Sequence, residues 1–191
     1  MSAATEPLAG IPYPSFAGIS FPKAKKVITV GDGDVIELGG RNLTVISMPD
    51  HAAGSLLFLD RRERILFSGD EVQDVKRVNG SVRIVRDQLR RLMQFRPDFD
   101  RICAGPGIFS ADLVEKLLAC AEEVLAGAAG EPVPAGQYEA PAVPGFEGRI
   151  IYRRHGSRRE DMPEGFDRKD PDKRIIRRGN AALLYDIRKI F

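Results

Sequence analysis

Apolar and polar positions alternate differently in different parts of the chain, and the first change comes near Lys26. Before it, residues 1–25 are rich in Pro, Gly and small side chains, including IPYPSF and SFP. Each proline removes a ladder donor and biases its neighbour toward extended backbone, so an irregular approach segment is expected there. From Lys26 onward the runs VITV, VIEL and NLTVIS are short and β-branched, separated by GDGD and GGR. They predict strands joined by glycine turns. Incomplete alternation in LTVIS suits a strand covered on both faces. SLLFLD and RILFSGD, joined by the charged DRRE, predict a hairpin with a polar tip.

DVKRVNGS has turn composition. Beyond it Val85, Leu89, Leu92 and Met93 recur at helical spacing, with Arg and Gln on the other face, and Pro97 is expected to end that helix. FDRICAGPG reads as a buried strand entering a glycine turn. Ser110 is then expected as an N-cap, with Asp112 at the positive end of a second helix. Leu113, Leu117, Ala121, Val124 and Leu125 make its apolar stripe, and Gly127 and Gly130 are expected to stop it. A Pro/Gly/Ala loop leads to RIIYRR, expected as a strand. A charged loop from His155 to Lys173 follows, and ALLYDIRKI closes the chain as another strand. The organisation expected is an irregular segment over 1–25, a half domain over 26–130 and a basic extension over 131–191.

Composition narrows the class. Hydrophobic residues at 43% and charged residues at 29% fit a folded globular chain of 191 residues. No run approaches the roughly 18 apolar residues of a membrane span. The first residues lack the basic and apolar regions of a secretory leader. Cys103 and Cys120 form no disulfide framework, so a reduced, cytoplasmic setting is expected. The net charge of +2 hides an imbalance: from Arg149 onward 13 Lys/Arg face 7 Asp/Glu. Acids interrupt that basic stretch, and no aromatics beyond Tyr152 and Phe166 interleave with its arginines. A solvated surface is therefore expected rather than a nucleic-acid interface.

Two positions carry candidate chemistry. His51 and Asp70 each stand where a strand gives way to a loop, in MPDHAAGSLLFL and ILFSGDEV. These phrases, with Gly31-Asp32-Gly33-Asp34, Leu38-Gly39-Gly40, Pro49, Gly54, Ser55, Gly105 and Gly107, resemble the second half of a metallo-β-lactamase-fold hydrolase domain, over residues 26–127. The resemblance implies an α+β fold, part of an αββα sandwich, with a mixed sheet and helices on its outer face. It implies His51 and Asp70 as metal ligands, zinc or iron as the metal, and an ester, thioester or amide of a small molecule as substrate. A metal-bound water acidified toward neutral pH supplies the hydroxide in such sites.

The sequence also departs from that family. Its His-x-His-x-Asp-His cluster has no counterpart, for the histidines are His51 and His155 alone. The later Gly-His-Gly turn reads Gly105-Pro106-Gly107, and proline has no side-chain donor. Asp50 stands where glycine is usual. Catalytic zinc takes about three protein ligands and an open position, so two do not suffice. Among substitutes, His155 lies in the basic RRHGSRRED, and Cys103 reads as a packed strand residue. Asp50 and Glu71 have oxygens to offer, but Asp50 is expected to cap its own turn and Glu71 to be solvated. No catalytic residue and no organic cofactor is assigned.

A sheet that begins partway through a domain leaves an edge and an apolar face open. Three outcomes are expected to resolve this: a second chain covers the face as a homo-oligomer, Met1 is not the native start, or the sheet closes another way. Function then divides. One expectation is a metallo-β-lactamase-like hydrolase that is truncated or inactive as this chain, completed by an upstream segment or a partner. The other is a non-catalytic, dimeric interaction module.

Overall fold

Short β-branched runs separated by glycine turns build the larger of two sheets, within a computed structural model that describes residues 28–133 and 172–191. Its strands are β1 (Val35–Glu37), β2 (Asn42–Ser47), β3 (Leu56–Asp60), β4 (Ile65–Gly69), β6 (Arg101–Ala104) and β7 (Gly107–Ser110), ordered β1-β2-β3-β4-β6-β7. The sheet is mixed, with β4 and β6 parallel and the other neighbours antiparallel. At the β1–β2 turn Gly39 and Gly40 both have positive φ, which the Leu38 N–H to Arg41 carbonyl bond of 2.8 Å requires and glycine permits.

Strand register separates the faces. Leu59, Leu66 and Ile102 are cross-strand neighbours and fully buried. They meet the apolar stripes of α1 (Val82–Leu92) and α2 (Leu113–Leu125), where Val85, Leu89, Leu113, Leu117 and Ala121 share one core. On the other face Val45, Phe58, Phe67, Cys103 and Ile108 form a continuous row. Phe67 is 38% and Ile108 71% exposed, so this apolar face is partly open. In β2 the adjacent Val45 and Ile46 are both buried, as a strand covered on two faces requires.

The smaller sheet is ordered β5-β10-β9-β8, from β5 (Val75–Arg77), β8 (Glu131–Pro132), β9 (Lys173–Arg178) and β10 (Ala181–Asp186). Here β5 and β10 run parallel. Leu183 and Tyr185 of β10 belong to the same core as the large sheet and helices. Gly130 lies against β9 and β10: its N–H donates to the Tyr185 hydroxyl, and a Cβ would stand 2.9 Å from both that hydroxyl and the Ile175 carbonyl.

Several local expectations are corrected. Ile28 to Val30 of VITV are not a strand, and Val75–Arg77 in the expected turn DVKRVNGS is one. The first helix ends at Leu92, and Pro97 lies inside the 3-10 turn that follows. Ser110 closes β7, and the N-cap of α2 is Asp112. Lys173, expected as the end of a charged loop, instead opens the strand Lys173–Arg178, which gives β10 its antiparallel neighbour. RIIYRR and His155 lie outside the described residues. No helix among the described residues is long and apolar enough to cross a membrane.

Candidate functional site

Topology decides where chemistry gathers. Because β3 is antiparallel to both β2 and β4, and β6 is parallel to β4, the C-terminal ends of β2, β4 and β6 share one edge of the sheet. Three loops leave from that edge, carrying His51, Asp70 and Gly105-Pro106-Gly107. His51 Nε2 lies 3.7 Å from Asp70 Oδ2, and both side chains are about half exposed, at 47% and 50%. The third loop closes on the second through the Gly105 N–H, which donates to the Gly69 carbonyl at 2.9 Å. A Cβ at position 105 would lie 2.6 Å from Asp70 Oδ1, so glycine there leaves this carboxylate free to hold its present orientation. Sequence reasoning names His51 and Asp70, and the fold brings them together; the third corner is Pro106.

Beneath the edge lies a charged cluster that the sequence does not reveal. Lys76 of β5 is fully buried, with Nζ 2.8 Å from Asp50 Oδ2 and 2.7 Å from Glu71 Oε2. Glu71 is 2% exposed, which corrects the expectation that it is solvated. Its Oε1 accepts the His51 N–H at 2.7 Å. Asp50 does not cap its own turn; its Oδ1 accepts the Gly80 N–H at 3.0 Å across the fold. Three of the four carboxylate oxygens accept hydrogen bonds from protein donors, and the fourth, Asp50 Oδ2, meets the Lys76 ammonium as an ion pair without hydrogen-bond geometry. A buried ammonium explains the arrangement, because such a charge is tolerated only when paired and hydrogen-bonded.

The donors present do not fit a complete catalytic metal centre. Two ligands stand at the edge, Pro106 offers none, and Asp50 and Glu71 are already engaged. Among the described residues no group of three or more His, Cys, Asp or Glu is placed to hold a metal. Cys120 is buried away from the edge in α2, where burial pushes its thiol up to about 11. A separate concavity of about 500 Å³ lies by Gly40, Thr44 and Arg61, toward the opposite end of the strands. Its guanidiniums already have partners: Arg41 meets Asp60 and Glu63, Arg61 meets Asp98, and Arg62 meets the Gly40 carbonyl.

No protein-family model matches the chain. A short stretch of 43 residues is 58% identical to acyl-coenzyme A thioesterase MBLAC2 of Gallus gallus, covering 22% of this chain and 16% of that protein. The Bos taurus protein of the same name is 53% identical over 47 residues, 25% of this chain and 17% of that one. Solved structures with a similar fold include a metallo-β-lactamase family protein of Thermus thermophilus (TM-score 0.40, 23% identity, 53% of this chain and 36% of that). Another is a metallo-β-lactamase from Pontibacter korlensis (TM-score 0.43, 20% identity, 52% and 50%). The chain is thus similar, over part of its length, to metallo-β-lactamase family proteins. The match spans about a sixth of the thioesterases' length. Within this chain the edge formed by β2, β4 and β6 is where the candidate ligands gather.

Proposed function

We propose that this chain contributes two corners, His51 and Asp70, to the metal-binding edge of a metallo-β-lactamase-like hydrolase whose substrate is a thioester, and that it is inactive by itself. The observation that carries the reading is the meeting of His51 and Asp70 at 3.7 Å, half exposed, from loops that leave neighbouring strand ends. Room kept for Asp70 by Gly105 supports it. Thioester chemistry is suggested by the local likeness to acyl-coenzyme A thioesterases. Zinc or iron is the metal such an edge would take, and the remaining ligands come from another segment or a partner chain.

Metal content and thiol release from acyl-coenzyme A test this together. The chain alone is expected to hold well under one equivalent of zinc and to release no thiol. Joined in frame to the His-x-His-x-Asp-His half of an acyl-coenzyme A thioesterase, it is expected to release thiol, and His51→Ala to abolish that activity. Stoichiometric zinc and turnover by the chain alone would refute the inactivity. Turnover of the joined protein that ignores His51→Ala would refute the ligand assignment.

A second reading, a non-catalytic module that pairs with a second copy of itself, is favoured by the open apolar row. Ile108, its most exposed member at 71%, sits on β7, the last strand of the large sheet.

A further inference from the structure

Lys76 is the most deeply buried charge in the cluster below the site, and its surroundings are ordered around one residue. We propose that Lys76 is a positioning residue for His51, acting through Glu71 and Asp50; this rests on the reading of the His51–Asp70 edge as the functional site. The ammonium takes one oxygen from each carboxylate, Glu71 Oε2 at 2.7 Å and Asp50 Oδ2 at 2.8 Å. That fixes the direction of the other oxygen in each. Glu71 Oε1 then receives the N–H of His51 itself, at 2.7 Å. Asp50, the residue before His51, receives the Gly80 N–H.

The far side of the same turn is held as well. Asn79 Nδ2 donates to the His51 carbonyl at 3.1 Å, and the Asn79 carbonyl in turn accepts from Lys189 Nζ at 3.1 Å. The peptide groups flanking His51 are thus held from both sides while its ring stays half exposed. A lysine that only neutralised buried acids would not need its partner carboxylate bonded to the amide of a candidate ligand. Preorganising a ligand's backbone while leaving its ring accessible is what a site on a loop requires. Lys76 reaches this position from β5, whose partner β10 belongs to the other sheet, so the C-terminal strands help to set His51 against Asp70.

Amide hydrogen exchange and imidazole spectra of the full chain, read by NMR, test the proposal. His155→Gln identifies the His51 ring signal, and Leu66 and Leu183 report the core. In Lys76→Met the His51 and Gly80 amides are expected to exchange roughly tenfold or more faster relative to the core, the scale of losing a charge-assisted hydrogen bond. The His51 ring signal is expected to move or broaden. Because Lys76→Met leaves two buried carboxylates facing each other, a neutral set of similar volume, Asp50→Asn with Glu71→Gln and Lys76→Met, carries the test if the single variant unfolds. Core protection is then retained while His51 still exchanges faster. A merely structural lysine would lower His51, Leu66 and Leu183 together, or leave His51 unchanged against a retained core. Either result overturns the proposal. Zinc titration of the chain joined in frame to the His-x-His-x-Asp-His half of an acyl-coenzyme A thioesterase separates it from the functional reading: a His51 ring signal indifferent to zinc there counts against the metal edge and leaves the exchange result standing.

Discussion

Gly105 shows how a missing side chain can matter as much as a present one. Its would-be Cβ lies 2.6 Å from Asp70 Oδ1, and that atom is the far end of a half-exposed side chain. Gly105→Ala is therefore expected to turn the carboxylate away from His51 at little cost, within about 0.5–1 kcal/mol of stability. A shifted His51 ring signal with a nearly unchanged urea midpoint is the result that checks it; an unchanged ring signal would show that Asp70 keeps its place. The same residues measure what is legible in sequence. His51 and Asp70 announce themselves because each sits in a short phrase of turn and strand residues whose spacing is local. The Lys76 cluster does not, because its two partners stand on two different loops, and only tertiary register brings Asp50 and Glu71 onto Lys76 of β5. By itself Glu71, next to Asp70 at a loop, reads as solvated. It is buried because Lys76 enters from the other sheet.

At the scale of elements, β10 carries the connection between the sheets, and Asp186 at its end is a charged anchor. The Arg188 guanidinium, with help from Lys173 and the Arg188 N–H, holds the Asp186 carboxyl well below the usual carboxylate range, against the opposing effect of burial. The sign follows from proton counting. With the folded value below the unfolded one, which is near ~4, the unfolded chain binds the proton first as pH falls. Asp186 thus contributes its full stabilisation above about pH 4 and loses it progressively below. Asp186→Asn is expected to lower the urea midpoint at pH 7 and to differ less from the unsubstituted chain at pH 3. A difference that stays constant with pH would show that charge is not the source. The long elements were readable: α1, α2 and the β3–β4 hairpin have periodicities that span whole elements. Strands β5, β7, β8 and β9 were not. They are two to six residues long, and β9 reads KRIIRR, where four cations mask two apolar residues. β5 and β8 take their strand neighbours from distant sequence, whereas β7 and β9 pair with β6 and β10 across two-residue turns.

For the molecule as a whole, the row from Val45 to Ile108, open at Phe67 and Ile108, is the surface on which the self-association reading rests. Light scattering is expected to give a mass twice that of one chain, and Ile108→Asp to return it to one. A monomer at every concentration would remove the self-association reading. The fold class was legible because small motifs fall in order along residues 26–127, each tied to a strand end. What the order of motifs could not convey is that β5 pairs with β10. The pairing joins Val75 to Ala182 and Arg77 to Leu184, segments more than a hundred residues apart. Synthesis proceeds from the N-terminus, so β2, β4 and β6 can assemble their shared edge while the ribosome is still at work. Among the described residues, the sheet neighbour of the strand bearing Lys76 is β10, which emerges about a hundred residues later. Of the two corners at that edge, His51 is thus the one whose setting waits for a strand made more than a hundred residues later.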